Sequence, residues 1–120
     1  MERLAESKIN LIHNDTLLEG QLRFSGHTRV QGILKGTVDV AQGSEFMLSE
    51  NGAIEGELSG DIIYISGYFR GKIKATTEIK ISGLARVFGE LEAPKIKIEP
   101  GAHFEGITRM EKFHADRESS

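Results

Sequence analysis

Four histidines, two glutamates one residue apart and a scatter of glycines are the residues whose types suit them to chemistry. Zinc sites commonly take three histidines plus water. His13, His27, His103 and His114 do not supply that set: His13 and His103 lie near opposite ends of the chain, and His27 and His114 are expected in a turn and a tail. Glu55 and Glu57 suggest acid–base work, but alternate positions on one strand form a solvated face, not two carboxyls facing each other across a substrate. A phosphate loop needs glycines running into a helix N-terminus. Gly32, Gly36, Gly67 and Gly71 precede no helical pattern, and are expected to supply positive φ or tight corners. There is no cysteine, hence no thiolate chemistry and no disulfide framework, as suits a reducing compartment. No catalytic residue, cofactor or metal is assigned.

The glycines instead mark a repeat. The phrase apolar–x–Gly–x–apolar reads Leu18-Glu19-Gly20-Gln21-Leu22, Leu34-Lys35-Gly36-Thr37-Val38 and Ile54-Glu55-Gly56-Glu57-Leu58. It returns as Phe69-Arg70-Gly71-Lys72-Ile73, as Val87-Phe88-Gly89-Glu90-Leu91 and, degraded, as Phe104-Glu105-Gly106-Ile107-Thr108. A unit this short cannot close a core alone and must stack on copies of itself, which makes the chain a solenoid.

A second marker gives the same period. Each phrase follows an apolar anchor that ends a short alternating run: Ile12, Val30, Leu48, Ile65, Ile81 and Ile98, at spacings of 18, 18, 17, 16 and 17. Anchor to glycine is eight residues, except after Val30 and Ile65, where it is six. The difference of two falls in the turn, so side-chain parity survives on both sides. Glu78-Ile79-Lys80-Ile81 and Lys95-Ile96-Lys97-Ile98 alternate polar and apolar as half-buried strands do. The expectation is an all-β, single-domain β-helix of about six coils, triangular in section, with three strands of three to five residues per coil. Enzymes built on β-helices from six-residue repeats are excluded, because no six-residue beat is present.

Stacking predicts columns. Two residues before the anchors stand Asn10, Thr28, Phe46, Ile63, Ile79 and Ile96, pointing inward. Outward columns read Glu57, Lys72, Glu90 and Asp39, Ser59, Lys74, Glu92, Arg109. Opposite charges directly across neighbouring strands each help by a few tenths of a kcal/mol, which favours this register over its shifted rivals.

Composition bounds the rest. The chain has 120 residues, 38% hydrophobic, with a formal net charge of -3. That charge argues against general nucleic-acid binding. No apolar run is long enough to span a membrane, and the first residues lack the apolar stretch of a secretory signal. Residues 1–9 and 111–120 are charged and lack the repeat, and are expected to be flexible tails around a β-helix over 10–110. Neither resembles a cap. A solenoid without caps exposes apolar side chains and unpaired backbone, and its end becomes a template for another copy. Ile12, Leu18 and Leu22 at one end, and Ile96, Ile98, Phe104 and Met110 at the other, are the expected polymer interface.

These residues resemble a known family, the bactofilins, bacterial polymer-forming cytoskeletal proteins. Its Gly-x-apolar-x-Ala pattern stands here as Gly71-Lys72-Ile73-Lys74-Ala75 and Gly89-Glu90-Leu91-Glu92-Ala93, and its late Gly-Ala-x-Phe-x-Gly element as Gly101-Ala102-His103-Phe104-Glu105-Gly106. The resemblance covers roughly residues 12–110. It implies a right-handed β-helix, nucleotide-independent assembly into non-polar filaments, and a cytoplasmic role in cell shape or wall synthesis at the inner face of the membrane. Partners would be further copies of the chain, and cell-wall enzymes or membrane proteins. The alternative is a non-filamentous adaptor that recruits such a partner through its sheet faces. Many members carry an N-terminal membrane-targeting peptide rich in Phe and Lys or Arg. Here Met1, Leu4, Arg3 and Lys8 are offset by Glu2 and Glu6, which counts against direct membrane binding.

Overall fold

A computed structural model describes residues 9–110 of the chain. The β-strands are β1 (Ile9–Ile12), β2 (Leu17–Phe24), β3 (His27–Val30), β4 (Ile33–Val40), β5 (Glu45–Leu48), β6 (Ala53–Ile65), β7 (Tyr68–Ile81), β8 (Arg86–Glu92), β9 (Lys95–Ile98) and β10 (His103–Arg109). All pairings are parallel and join one coil to the next, giving a β-solenoid of about six turns. Ile9 opens β1 although the sequence assigns it to the tail. The other expected tail residues lie outside the described ones.

Both markers stack as expected. Ile12, Val30, Leu48, Ile65, Ile81 and Ile98 form one continuous column. Gly20, Gly36, Gly56, Gly71, Gly89 and Gly106 form another. After each anchor from Val30 onward, the next residue donates its N–H to the anchor carbonyl of the preceding coil, as in Gln31 to Ile12 at 2.7 Å and Glu99 to Ile81 at 2.9 Å. The ladder therefore runs on into the turns.

The glycine column makes one corner of the coil. Its φ values run from 119° at Gly20 to 149° at Gly106, a region that side chains disfavour. A Cβ on Gly36 or Gly71 would also run into the carbonyl of the glycine beneath. Gly32 and Gly67 serve differently. They sit in the two short turns, where a Cβ would strike the backbone of the longer turn below, at His13 and Ser49 respectively. The four longer turns close on an N–H three residues after their carbonyl, as in Gly52 to Ser49 at 2.8 Å.

The expectation of three separate short strands per coil is corrected. A four-residue anchor strand alternates with one of seven or eight residues that continues through the glycine corner, and in β6 and β7 pairing runs on through a second corner. The reason is that these corners keep the inter-coil hydrogen bonds, so the backbone remains paired while it turns.

The interior is a pile of matched columns. Val30, Leu34, Leu48, Ile54, Leu58, Ile65, Phe69, Ile73 and Ile81 are fully buried. The column Asn10, Thr28, Phe46, Ile63, Ile79, Ile96 changes from small and polar to large and apolar after its second member. Across the interior, Phe24 and Val40 give way to Gly60, Ala75 and Ala93. Gly60 lies against both Val40 and Ile63, and the Phe24 and Phe46 rings are 6.4 Å apart. Large meets small across the core, so each coil fills to similar density.

Candidate polymer interface

The ends of the stack expose what the middle hides. At the N-terminal end Ile12, Leu18, Leu22 and Phe24 lie under Val30, Leu34, Val38 and Val40. The upper four are buried, whereas the lower four are only half-buried though packed on the same core. At the C-terminal end Ile96, Ala102 and Phe104 are half-buried over Ile79, Ala85 and Val87, which are buried. Ile98 is 42% exposed and Met110 58% exposed. The residue types are those of the core; among the described residues nothing covers them as a further coil would.

The backbone is open at the same places. Among the described residues, β1 and β2 pair only with β3 and β4, and β9 and β10 only with β7 and β8. Each end therefore presents strand edges whose N–H and C=O groups point along the solenoid axis, the arrangement that templates further strand pairing. The N-terminal interior is also polar. Asn10 Nδ2 donates to the Ser25 carbonyl at 2.7 Å and to Thr28 Oγ1 at 3.1 Å.

All seven residues expected at the interface thus lie on the two terminal coils, three at one end and four at the other, with Ile98 and Met110 the most exposed. Phe24, Ala102 and Asn10 belong to the same surfaces. Phe24 was legible from parity, since it stands four residues after Gly20 as Leu22 stands two after it.

No group of three or more His, Asp or Glu side chains converges on a common point among the described residues. His27 is exposed, but it opens β3 instead of lying in a turn, and its Nδ1 is 3.5 Å from Glu45 Oε1. His27 pairs with Ile9 in the coil beneath, so strand pairing holds it. His103 likewise opens β10, with Nε2 2.8 Å from Glu105 Oε2 and its ring 5.4 Å from that of Phe88. The outward charge columns have the expected register, yet Arg109 pairs diagonally with Glu90 at 2.9 Å and not with Glu92 directly opposite. Asp61 ties three coils together at a bulge. Its carboxylate accepts the Thr76 hydroxyl at 2.6 Å, the Thr77 hydroxyl and the Gly43 N–H at 3.0 Å. The two hydroxyls, then the amide, hold its pKa below the usual carboxylate range. No helix among the described residues is long and apolar enough to cross a membrane.

Fold and surface together define a β-solenoid whose two terminal coils, among the described residues, leave core side chains half-buried and strand edges unpaired. The family model described as "Bactofilin: Polymer-forming cytoskeletal" matches residues 10–109, and the chain belongs to the bactofilin family. It is 25% identical over 101 residues to bactofilin BacO of Myxococcus xanthus (strain DK1622), covering 84% of this chain and 79% of BacO. It is 24% identical over 94 residues to bactofilin BacP of the same strain, covering 78% of this chain and 38% of BacP. Among solved structures, the cytoskeletal bactofilin BacA determined by solid-state NMR matches with a TM-score of 0.76 at 25% identity, covering 89% of this chain and 98% of that one. The family is structural and cytoskeletal, which gives this chain a structural role and self-association as its chemistry.

Proposed function

We propose that the chain polymerises end to end through its two terminal coils, without nucleotide, into filaments that lack polarity. The observation that carries this reading is the loss of burial confined to the end members of each interior column: Ile81 is fully buried and Ile98, next in the same column, is 42% exposed. Joining like ends makes each junction two-fold and self-complementary. Nucleotide independence draws on the glycines, which lie in strands and turns of a stack with no helix among its described residues. The filament scaffolds cell shape or wall synthesis from the cytoplasmic side of the membrane.

A second reading, recruitment of a cell-wall enzyme or membrane protein by a sheet face, draws on the shallow apolar groove between Leu11, Met47 and Tyr64. Ultracentrifugation and negative-stain microscopy of the purified chain separate the two. Large particles at micromolar protein without nucleotide support polymerisation. A species that stays small leaves the adaptor reading. Head-to-tail stacking would remove the non-polar geometry and keep the polymer.

A further inference from the structure

One outward face of the solenoid is complementary to itself. It is formed by the segments that precede the glycine corner, and carries two parallel columns. The first runs Leu17, Ile33, Ala53, Tyr68, and the second runs Glu19, Lys35, Glu55, Arg70. Leu17 is 56% and Ile33 40% exposed, large apolar side chains at outward-facing positions. All four charged residues are exposed. Their signs alternate strictly along four coils. Among the described residues none of the four closes an ion pair within 4 Å with another; Arg70 instead lies 5.9 Å over the Phe88 ring. The charges are in register and available.

We infer that this face is a lateral docking surface for a second copy of the chain lying antiparallel to the first. The two-fold axis runs along the strands, between the coils of Lys35 and Glu55. Reversing the order of coils sets Glu19 against the partner's Arg70, Lys35 against the partner's Glu55, and the two reciprocal pairs. All four contacts join opposite charges. The same operation lays the apolar column on itself, Leu17 on Tyr68 and Ile33 on Ala53. A parallel arrangement of the two faces would instead set the apolar column against the charged one. The turns beside this face agree with the antiparallel choice. The first and third coils have the long turns at 13–16 and 49–52, and the second and fourth have the short ones at Gly32 and Gly67. Antiparallel pairing places first against fourth and second against third, so that every long turn meets a short one. Beyond the overlap the apolar column gives way to Arg86 and His103.

The four coils span about 19 Å at roughly 4.8 Å per strand, which covers on the order of 200 Å² per copy. That is far below the ~1,200 Å² total of a stable complex. Two monomers would not stay together through it. A polymer offers the patch once per subunit, and repeated weak contacts add through effective concentration. The inference therefore rests on end-to-end polymerisation and predicts filament pairing or bundling, not a lateral dimer of free chains.

Charge exchange between two variants tests it. Lys35→Glu sets Glu against Glu55 at both central contacts, and Glu55→Lys sets Lys against Lys35. Filaments of each variant, formed separately, should remain in the supernatant of a low-speed spin that pellets wild-type bundles, while still pelleting at high speed. Mixing the two preformed populations restores opposite charges at all four contacts, and should return both to the low-speed pellet. A structural effect of either substitution would not be rescued by mixing. Circular dichroism of each variant should match the wild type, since both positions are exposed. Wild-type filaments that never bundle, variants that bundle unaided, or a mixture that stays dispersed each overturn the lateral surface while leaving polymerisation standing. Wild-type chain absent from the high-speed pellet overturns the polymer reading and this one with it.

Discussion

Ile81 and Ile98 are partners in the same interior column, one coil apart, and the first is fully buried while the second is 42% exposed. Their chemistry is identical, so the difference measures what a covering coil contributes. Ile81→Ala removes packed methylenes between Ile65 and Ile98, and is expected to destabilise the fold by about 2–5 kcal/mol. Against a total stability of ~5–15 kcal/mol, that is a large fraction. Ile98→Ala should cost the unpolymerised chain distinctly less. Denaturant melts of both variants check this, and equal losses would mean that Ile98 is covered from within its own chain.

The glycine corner makes a second pair of variants informative. Gly20 and Gly89 occupy the same column with φ of 119° and 138°. A Cβ on Gly89 strikes the carbonyl of Gly71, but one on Gly20 meets nothing within 4 Å, because Gly20 is at the bottom of the stack. Gly20→Ala therefore carries only backbone strain, on the order of 1–3 kcal/mol. Gly89→Ala adds a backbone clash that a parallel ladder cannot relax without separating two coils. Thermal melting should show a moderate loss for the first and a failure to fold for the second.

Asp61 gives the fold an acid-sensitive point. Its folded-state pKa lies below the usual value, because the Thr76 and Thr77 hydroxyls and the Gly43 amide all donate to the ionised form. A depressed carboxylate pKa contributes stability that is present above the unfolded value and is lost as pH falls through the folded one. At neutral pH Asp61→Asn should be less stable than the wild type. The gap should close as the solution is acidified below the ordinary aspartate value of 3.8. Paired denaturant titrations down the pH scale measure that gap, and one that persists at the acid end would assign the effect to shape instead of charge.

The stack was legible because two independent markers, the anchors and the glycines, repeat with one period, and their parity survives the changes in turn length. Local clues to side-chain partners were weaker. Nothing in the spacing of Asp61 shows that β7 takes an extra residue at Thr76-Thr77 to meet it. His27 looked like a turn residue because Gly26 precedes it, yet the backbone is already paired there. Arg109 chose Glu90 over Glu92 because its long side chain reaches diagonally across the sheet as readily as straight across it. The interface residues were found as members of a column at its end. Phe24 escaped because its column shrinks to Gly60 and Ala75 along the stack, and Asn10 because a polar residue does not stand out as an uncovered core position.

Phe104 separates folding from assembly. It stands over Val87 in the last coil, half-buried, with its outer side uncovered among the described residues. Burying an aromatic ring is worth roughly 1.5–3 kcal/mol, and a two-fold junction of like ends counts it twice. Arginine at this position reaches solvent in the free chain, so the fold should survive. In the junction it would set two cations facing each other with water excluded, and that penalty exceeds the loss of the ring. Phe104→Arg should keep β-type circular dichroism yet form no long filaments, stopping at short oligomers held by the N-terminal ends. Sedimentation and negative-stain microscopy read this out. Long filaments in the variant would show that the C-terminal coil is not an interface, and an unfolded variant would show that Phe104 serves the core alone.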